Sequence, residues 1–131
     1  IYNNPANVFV AQFIGTPKMN ILEISEENII SENTLKLLGL EIKFNNIKFK
    51  KTKHYIGLRP EHLKVTDESD FTFVPELELV ENLGNEKIAY LKNGPNQLSA
   101  KISSNEEIKN KIGFNFKDIF IFDNNGERIK L

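Results

Sequence analysis

Apolar residues recur along this chain in two rhythms. Near the start, Ala6, Phe9, Val10 and Phe13 fall at helical spacing on one face. Asn4 is placed to cap such a helix, Pro5 suits its first position, and Gly15 with Pro17 ends it. A lone helix of about ten residues is marginal in water, so its apolar face must pack on something. The two candidates are the rest of this chain and an upstream domain. The opening on Ile1 rather than Met, at the very start of a helix, adds the expectation that the chain was cut from something longer.

Past Pro17 the rhythm shortens to that of strands. Brief apolar stretches occupy residues 21–24 and 29–30, and residues 34–38 and 41–44 flank Gly39. Ile47 and Phe49 alternate with lysines, and residues 55–58 run into Arg59-Pro60, which stops a strand. Leu77 and Leu79 alternate with Glu76, Glu78 and Glu81, the pattern of a half-buried strand that takes in Phe73 as well. Residues 88–91 and 98–102 bracket Asn93-Gly94-Pro95, a strong turn signal. Residues 119–122 precede Asp123-Asn124-Asn125-Gly126, and residues 128–131 add a last edge. Residues 50–53 and 66–69 read as loops, the second dividing the β region into halves. Many short strands behind one helix predict a mainly β fold, a small β-barrel or sandwich with short helical turns.

Composition narrows the function more by exclusion than by assertion. A chain of 131 residues is one ordinary domain, long enough to bury a core without disulfide or metal. The formal net charge of −1 is spread evenly, which argues against a nucleic-acid partner or an anionic membrane surface. There is no cysteine, so disulfides and thiolate chemistry are excluded. No secretory signal or membrane-crossing apolar run is seen, and the expectation is a soluble, cytoplasmic protein.

The sequence offers no catalytic constellation. His54 and His62 are the only histidines, and a zinc site would need further ligands around them. Asp67, Glu68 and Asp70 lack the Gly and distal Glu of a calcium loop and read as a solvated acidic loop. No phosphate-binding glycine loop and no strained nucleophile turn are present. Ten phenylalanines raise the thought of base stacking, but without a basic groove they read as core. The most distinctive segment is Gly57-Leu58-Arg59-Pro60-Glu61-His62, where a strand enters a corner stiffened by proline and a helical turn comes next. Arg59 there either pairs with a carboxylate, Glu61 or Glu81, or joins Glu61 in contacts to another domain.

Four segments, in order from one end of the chain to the other, resemble one family. The run from Ile1-Tyr2-Asn3-Asn4-Pro5-Ala6-Asn7-Val8-Phe9 through Gly15-Thr16-Pro17-Lys18-Met19-Asn20 resembles a domain junction in maltose- and glycerol-phosphate-type importer ATPases. There the nucleotide-binding domain passes into a C-terminal domain. Gly57-Leu58-Arg59-Pro60-Glu61-His62-Leu63 is similar to the family's G-[IL]-R-P-E segment, and Glu78-Leu79-Val80-Glu81-Asn82-Leu83-Gly84-Asn85-Glu86 to its V-E-x-L-G-x-E strand and turn. Phe122-Asp123-Asn124-Asn125-Gly126-Glu127-Arg128-Ile129 resembles its closing motif. Between Ile102 and Phe120 the chain departs from the family pattern, with Phe114 and Phe116 where a plainer strand and turn are expected.

The resemblance implies a transport-associated OB domain, an OB-fold-like small β-barrel of the TOBE or MOP type. Residues 1–16 would be the C-terminal helix of the nucleotide-binding domain, and residues 17–131 the OB-like regulatory domain. It implies a regulatory and dimerisation role without catalysis. ATP and magnesium would belong to the parent, and no cofactor or metal to these residues. The implied partners are the nucleotide-binding domain of the same chain, a second copy, the transporter's membrane subunits through the parent, and a cytoplasmic regulator. The implied location is the cytoplasmic face of the membrane. Arg59, Pro60, Glu61, Glu81, Gly84 and Glu86 are the candidate interdomain or regulatory contacts. The rival reading is a module that senses an oxyanion or sugar phosphate beside Arg59, with backbone N–H groups as the cradle.

Overall fold

The structure, a computed structural model, describes residues 6, 7 and 17–131. The expected N-terminal helix, its Phe9 and Phe13, and the boundary at residue 16 lie outside the described residues. Residues 17–131 are mainly β. In chain order the strands are β1 (Asn20–Ile24), β2 (Ile29–Ser31), β3 (Thr34–Leu37), β4 (Leu40–Lys43), β5 (His54–Leu58) and β6 (Phe71–Phe73). They continue as β7 (Glu76–Asn82), β8 (Glu86–Asn93), β9 (Asn96–Ser103), β10 (Ile112–Phe114), β11 (Phe120–Phe122) and β12 (Arg128–Ile129). Single turns of 3-10 helix span Glu26–Asn28, Pro60–His62 and Phe116–Asp118.

Among the described residues the strands form antiparallel ladders in the orders β1-β5-β11-β12, β2-β3-β4, β7-β8-β9 and β10-β6. They enclose one core but do not join into a single closed barrel. Short strands are the reason: β6 and β10 have three residues each, too few to carry a ladder from one sheet to the next. Residues 44–53 follow no ladder either. Ile47 and Phe49, expected in a strand, instead drop from an irregular segment into the core beside Phe44. Phe49 meets Phe44 edge-to-face at 5.3 Å, a favoured aromatic geometry.

Alternation explains most of the burial. Leu22 and Ile24 of β1, Ile56 and Leu58 of β5, and Ile121 of β11 point to the shared core. So do Ala89 and Leu91 of β8, and Leu98, Ala100 and Ile102 of β9. The opposite face of the four-stranded sheet carries a smaller cluster of Met19 and Phe122, with Ile21, Tyr55 and Phe120 around them. Gly57 in that face leaves its space to Met19 and Phe122. A Cβ there would lie 2.5 Å from Met19 Sδ and 3.1 Å from Phe122 Cε2. Phe120 and Phe122 do share one face, and Phe44, Phe49, Phe73, Phe114 and Phe122 are buried, so the phenylalanines serve packing.

One open stretch is filled and one expectation needs correction. Where a plainer strand and turn were expected, residues 112–114 form a strand, β10, which pairs with β6, Phe116 opens a 3-10 turn, and Phe114 is fully buried. The strand at Leu77 and Leu79 exists, but it is not half-buried: every residue of β7 is exposed.

Candidate interaction site

The six candidate contact residues fall into two groups. The first is the corner after β5. Arg59 and Pro60 are buried and Glu61 is half-buried, with Pro60 opening the 3-10 turn as its fixed φ favours. This turn packs against β9. The Arg59 guanidinium lies over the ring of Phe120, 5.3 Å from its centroid, and that of Arg128 approaches the same ring at 4.8 Å. The described ion pairs do not join Arg59 to Glu61 or Glu81. His62 ends the turn, with Nδ1 buried and 3.8 Å from Asp118 Oδ1.

The second group lies on the β7–β8 hairpin, beyond β9, the strand that meets the corner. Glu81 is exposed and accepts a hydrogen bond from the Tyr90 hydroxyl at 3.1 Å, which raises the Tyr90 pKa above the usual phenol value. Gly84 is in the tight loop with φ +99°, a conformation that disfavours any side chain although the space around it is open. Exposed Glu86 pairs with Lys101 at 3.4 Å. The structure therefore separates Arg59–Glu61 from Glu81, Gly84 and Glu86, with β9 between the corner and the β7–β8 hairpin.

What sequence reasoning missed lies on β7 itself. Leu77, Leu79 and Val80, with Val74 before the strand and Leu83 after it, are 38–66% exposed. Register explains how both faces came to be apolar. Leu77 pairs with Leu91 and Leu79 with Tyr90, so Glu78 is an extra residue, a β-bulge. Leu77 and Val80 thus share the face of Leu91 and Ala89, while Glu76, Leu79 and Glu81 share the face of Lys92, Tyr90 and Ile88. The clue in the sequence was Leu79-Val80, two adjacent apolar residues that strict alternation cannot place on one face. β7 is also the outermost strand of its sheet. Exposed apolar edges of this kind mark contact surfaces more often than single exposed leucines do.

A second feature is a cleft of about 350 Å³ lined by Lys48, Lys50, Thr52, His54, Asp123, Asn124, Asn125 and Ile129. His54 Nδ1 is 2.8 Å from the Thr52 carbonyl, which only accepts, so Nδ1 carries the proton there. Asp67, Glu68 and Asp70 are all exposed, as a solvated loop requires, and Asp70 also accepts from the Phe116 amide at 3.0 Å and donates its own amide to Asn115 at 2.9 Å. Among the described residues no group of three or more His, Asp or Glu could hold a metal ion. Nor is any helix among them long and apolar enough to cross a membrane.

No family model matches the chain. Curated proteins do. The sn-glycerol-3-phosphate import ATP-binding protein UgpC of Psychromonas ingrahamii is 39% identical over 95 residues, covering 70% of this chain and 23% of that protein. The maltose/maltodextrin import ATP-binding protein MalK of Vibrio parahaemolyticus is 36% identical over 96 residues, covering 70% and 26%. The trehalose/maltose import ATP-binding protein MalK of Thermococcus litoralis is 32% identical over 140 residues, covering 94% and 37%. The chain is a homologue of the ATP-binding subunits of sugar importers. It spans from about a quarter to just over a third of the length of these relatives.

Proposed function

We propose that the chain is the C-terminal regulatory and dimerisation domain, without catalysis of its own, of an ATP-binding subunit of a sugar or glycerol-phosphate importer. The observation that supports this best is the coverage. Between 70% and 94% of the chain matches only 23–37% of each of these three subunits. In this reading residues 1–16 close the nucleotide-binding domain and residues 17–131 come after it. ATP and magnesium belong to the upstream domain, which works at the cytoplasmic face beside the membrane subunits.

The physical logic is that of a second tether. Nucleotide sites between two ATPase subunits open and close, and a contact away from them keeps the subunits at high effective concentration meanwhile. A regulator that prefers one arrangement of the tethered domains then shifts the population between open and closed states. The test is to express the in-frame upstream sequence with and without residues 17–131. ATP hydrolysis is expected from the upstream part, with self-association by sedimentation several-fold weaker once residues 17–131 are removed. Absence of a nucleotide-binding loop upstream, or unchanged association, would sink the reading.

The cleft beside His54 favours a second reading, a sensor of a small hydroxylated anion such as a sugar phosphate. Lys48 and Lys50 supply charge and Asn124 and Asn125 supply amide groups at its rim. The sequence put such a site beside Arg59; the Arg59 guanidinium lies over Phe120, and the Lys48–Asn125 cleft supports the reading better because it is an open concavity. Thermal shift with sugar phosphates and oxyanions is expected to raise Tm by a few degrees, an effect lost in Lys48→Gln/Lys50→Gln. No stabilisation at millimolar ligand retires this reading.

A further inference from the structure

The seven residues of β7 include Glu76, Glu78 and Glu81 and no base. Charges and a bulge are common protections of an edge strand, and they keep it from pairing with copies of itself. Protection alone does not account for Leu77, Leu79, Val80 and Leu83, which leave the same edge apolar on both faces. An edge that is apolar and acidic together excludes partners of its own sign and admits those of the opposite one.

We propose that the β7 edge binds an extended segment of a partner polypeptide, added as a fourth strand, that alternates apolar side chains with lysine or arginine. The register sets the pattern. A strand added beside β7 meets Leu77 and Val80 on one face, where apolar side chains continue the layer of Leu91 and Ala89. On the other face it meets Glu76 and Glu81 on either side of Leu79, so basic head groups are opposed to carboxylates while their methylene stems lie along Leu79. Glu76 already stands opposite Lys92 in the existing ladder, so the sheet repeats this pairing outward. A second copy of β7 is the wrong occupant, because self-pairing doubles the glutamates and supplies no base. Resting on the contact-module reading, this assigns β7 to a partner other than the second copy and leaves dimerisation to another surface.

The experiment uses the 131-residue chain and labelled peptides of about nine residues, a length that spans an ordinary strand. One peptide alternates valine with lysine, one alternates valine with glutamate, and one has the lysines and valines in two blocks. By fluorescence anisotropy at low salt, the alternating lysine peptide is expected to bind at least about ten-fold more tightly than either control, a difference of about 1.4 kcal/mol. Glu76→Lys/Glu81→Lys is expected to invert the preference towards the glutamate peptide. Leu77→Ser/Val80→Ser is expected to abolish binding while far-UV circular dichroism stays unchanged, since both side chains are exposed. Equal binding of the alternating and block peptides, or no inversion in the charge-reversed variant, would overturn the proposal. So would a dimer of the chain that Leu79→Lys dissolves, because the occupant would then be a second copy. Absence of any dimer counts against the dimerisation reading and leaves the peptide preference as it stands, so the two failures are told apart.

Discussion

Phe114→Ala is expected to cost about 3–5 kcal/mol of folding stability, the range for deleting a large aromatic ring from a packed core. Phe114 is fully buried in β10, a strand of only three residues. Its ring lies 5.5 Å from Phe71 and 6.2 Å from Phe73, on the partner strand β6. Collapse into the space left behind is blocked on the backbone side. Gly113 is hydrogen-bonded in both directions to Lys64, at 2.8 Å each way, and packs directly on Ser69. The cavity therefore stays open, and its full cost is felt. Since a domain of this size has about 5–15 kcal/mol in hand, a large share of the total is at stake. Urea unfolding checks it: the midpoint should fall by about 2 M for a slope near 2 kcal/mol/M. A loss under about 1 kcal/mol would mean that β10 lies outside the cooperative core, and β10 with β6 would then be a peripheral flap.

Phe114 also shows why part of the fold was hidden in the sequence. β1, β5, β8 and β9 were legible because each is long enough to show alternation and is closed by a local signal. Asn93-Gly94-Pro95 marks the β8–β9 turn, and Arg59-Pro60 ends β5. Ile112-Gly113-Phe114 offers neither: three residues give no period, and a central glycine argues against a strand until its neighbour Ser69 is seen. Ile47 and Phe49 mislead in the opposite sense, since alternate burial arises there without any ladder.

The candidate contacts were legible as positions more than as partners. Proline after Arg59 announces a corner, and the structure places one there. The ring beneath Arg59, Phe120, comes from a strand distant in sequence, and no local pattern connects the two. On β7 the Leu–Glu alternation indicated a strand and the wrong burial. Whether an alternating strand is half-buried depends on what covers it, and β7 extends beyond the layer that buries β8 and β9.

Asn20→Ala should cost about 3 kcal/mol, although the substitution removes only a small polar side chain. Asn20 is buried in β1 and spends its amide on two other strands. Nδ2 donates to the carbonyls of Leu58 at 3.0 Å and Ser99 at 2.9 Å, and Oδ1 accepts from the Ser99 amide at 2.8 Å and its hydroxyl at 3.5 Å. These bonds tie the four-stranded sheet to β9, and through β9 and β8 to the β7 edge. Alanine leaves the buried Leu58 carbonyl and the part-buried Ser99 amide and carbonyl without this partner, and three orphaned groups at the low end of about 1–3 kcal/mol each give that figure. Hydrogen exchange separates this from a general loss: the Ser99 amide should lose protection ahead of the β5 amides. Asn20→Asp is the sharper probe. Its carboxylate would face two carbonyls with nothing to donate, so the acid must hold its proton more tightly folded than unfolded. The folded state then binds more protons, and stability falls as pH rises through the ordinary carboxyl value of about 3.9. Asn20→Asp should therefore approach Asn20→Ala in stability near pH 3 and drop below it at pH 7. Equal stability of the two variants at both pH values would mean that water reaches the site, and the link between the sheets would be weaker than its geometry implies.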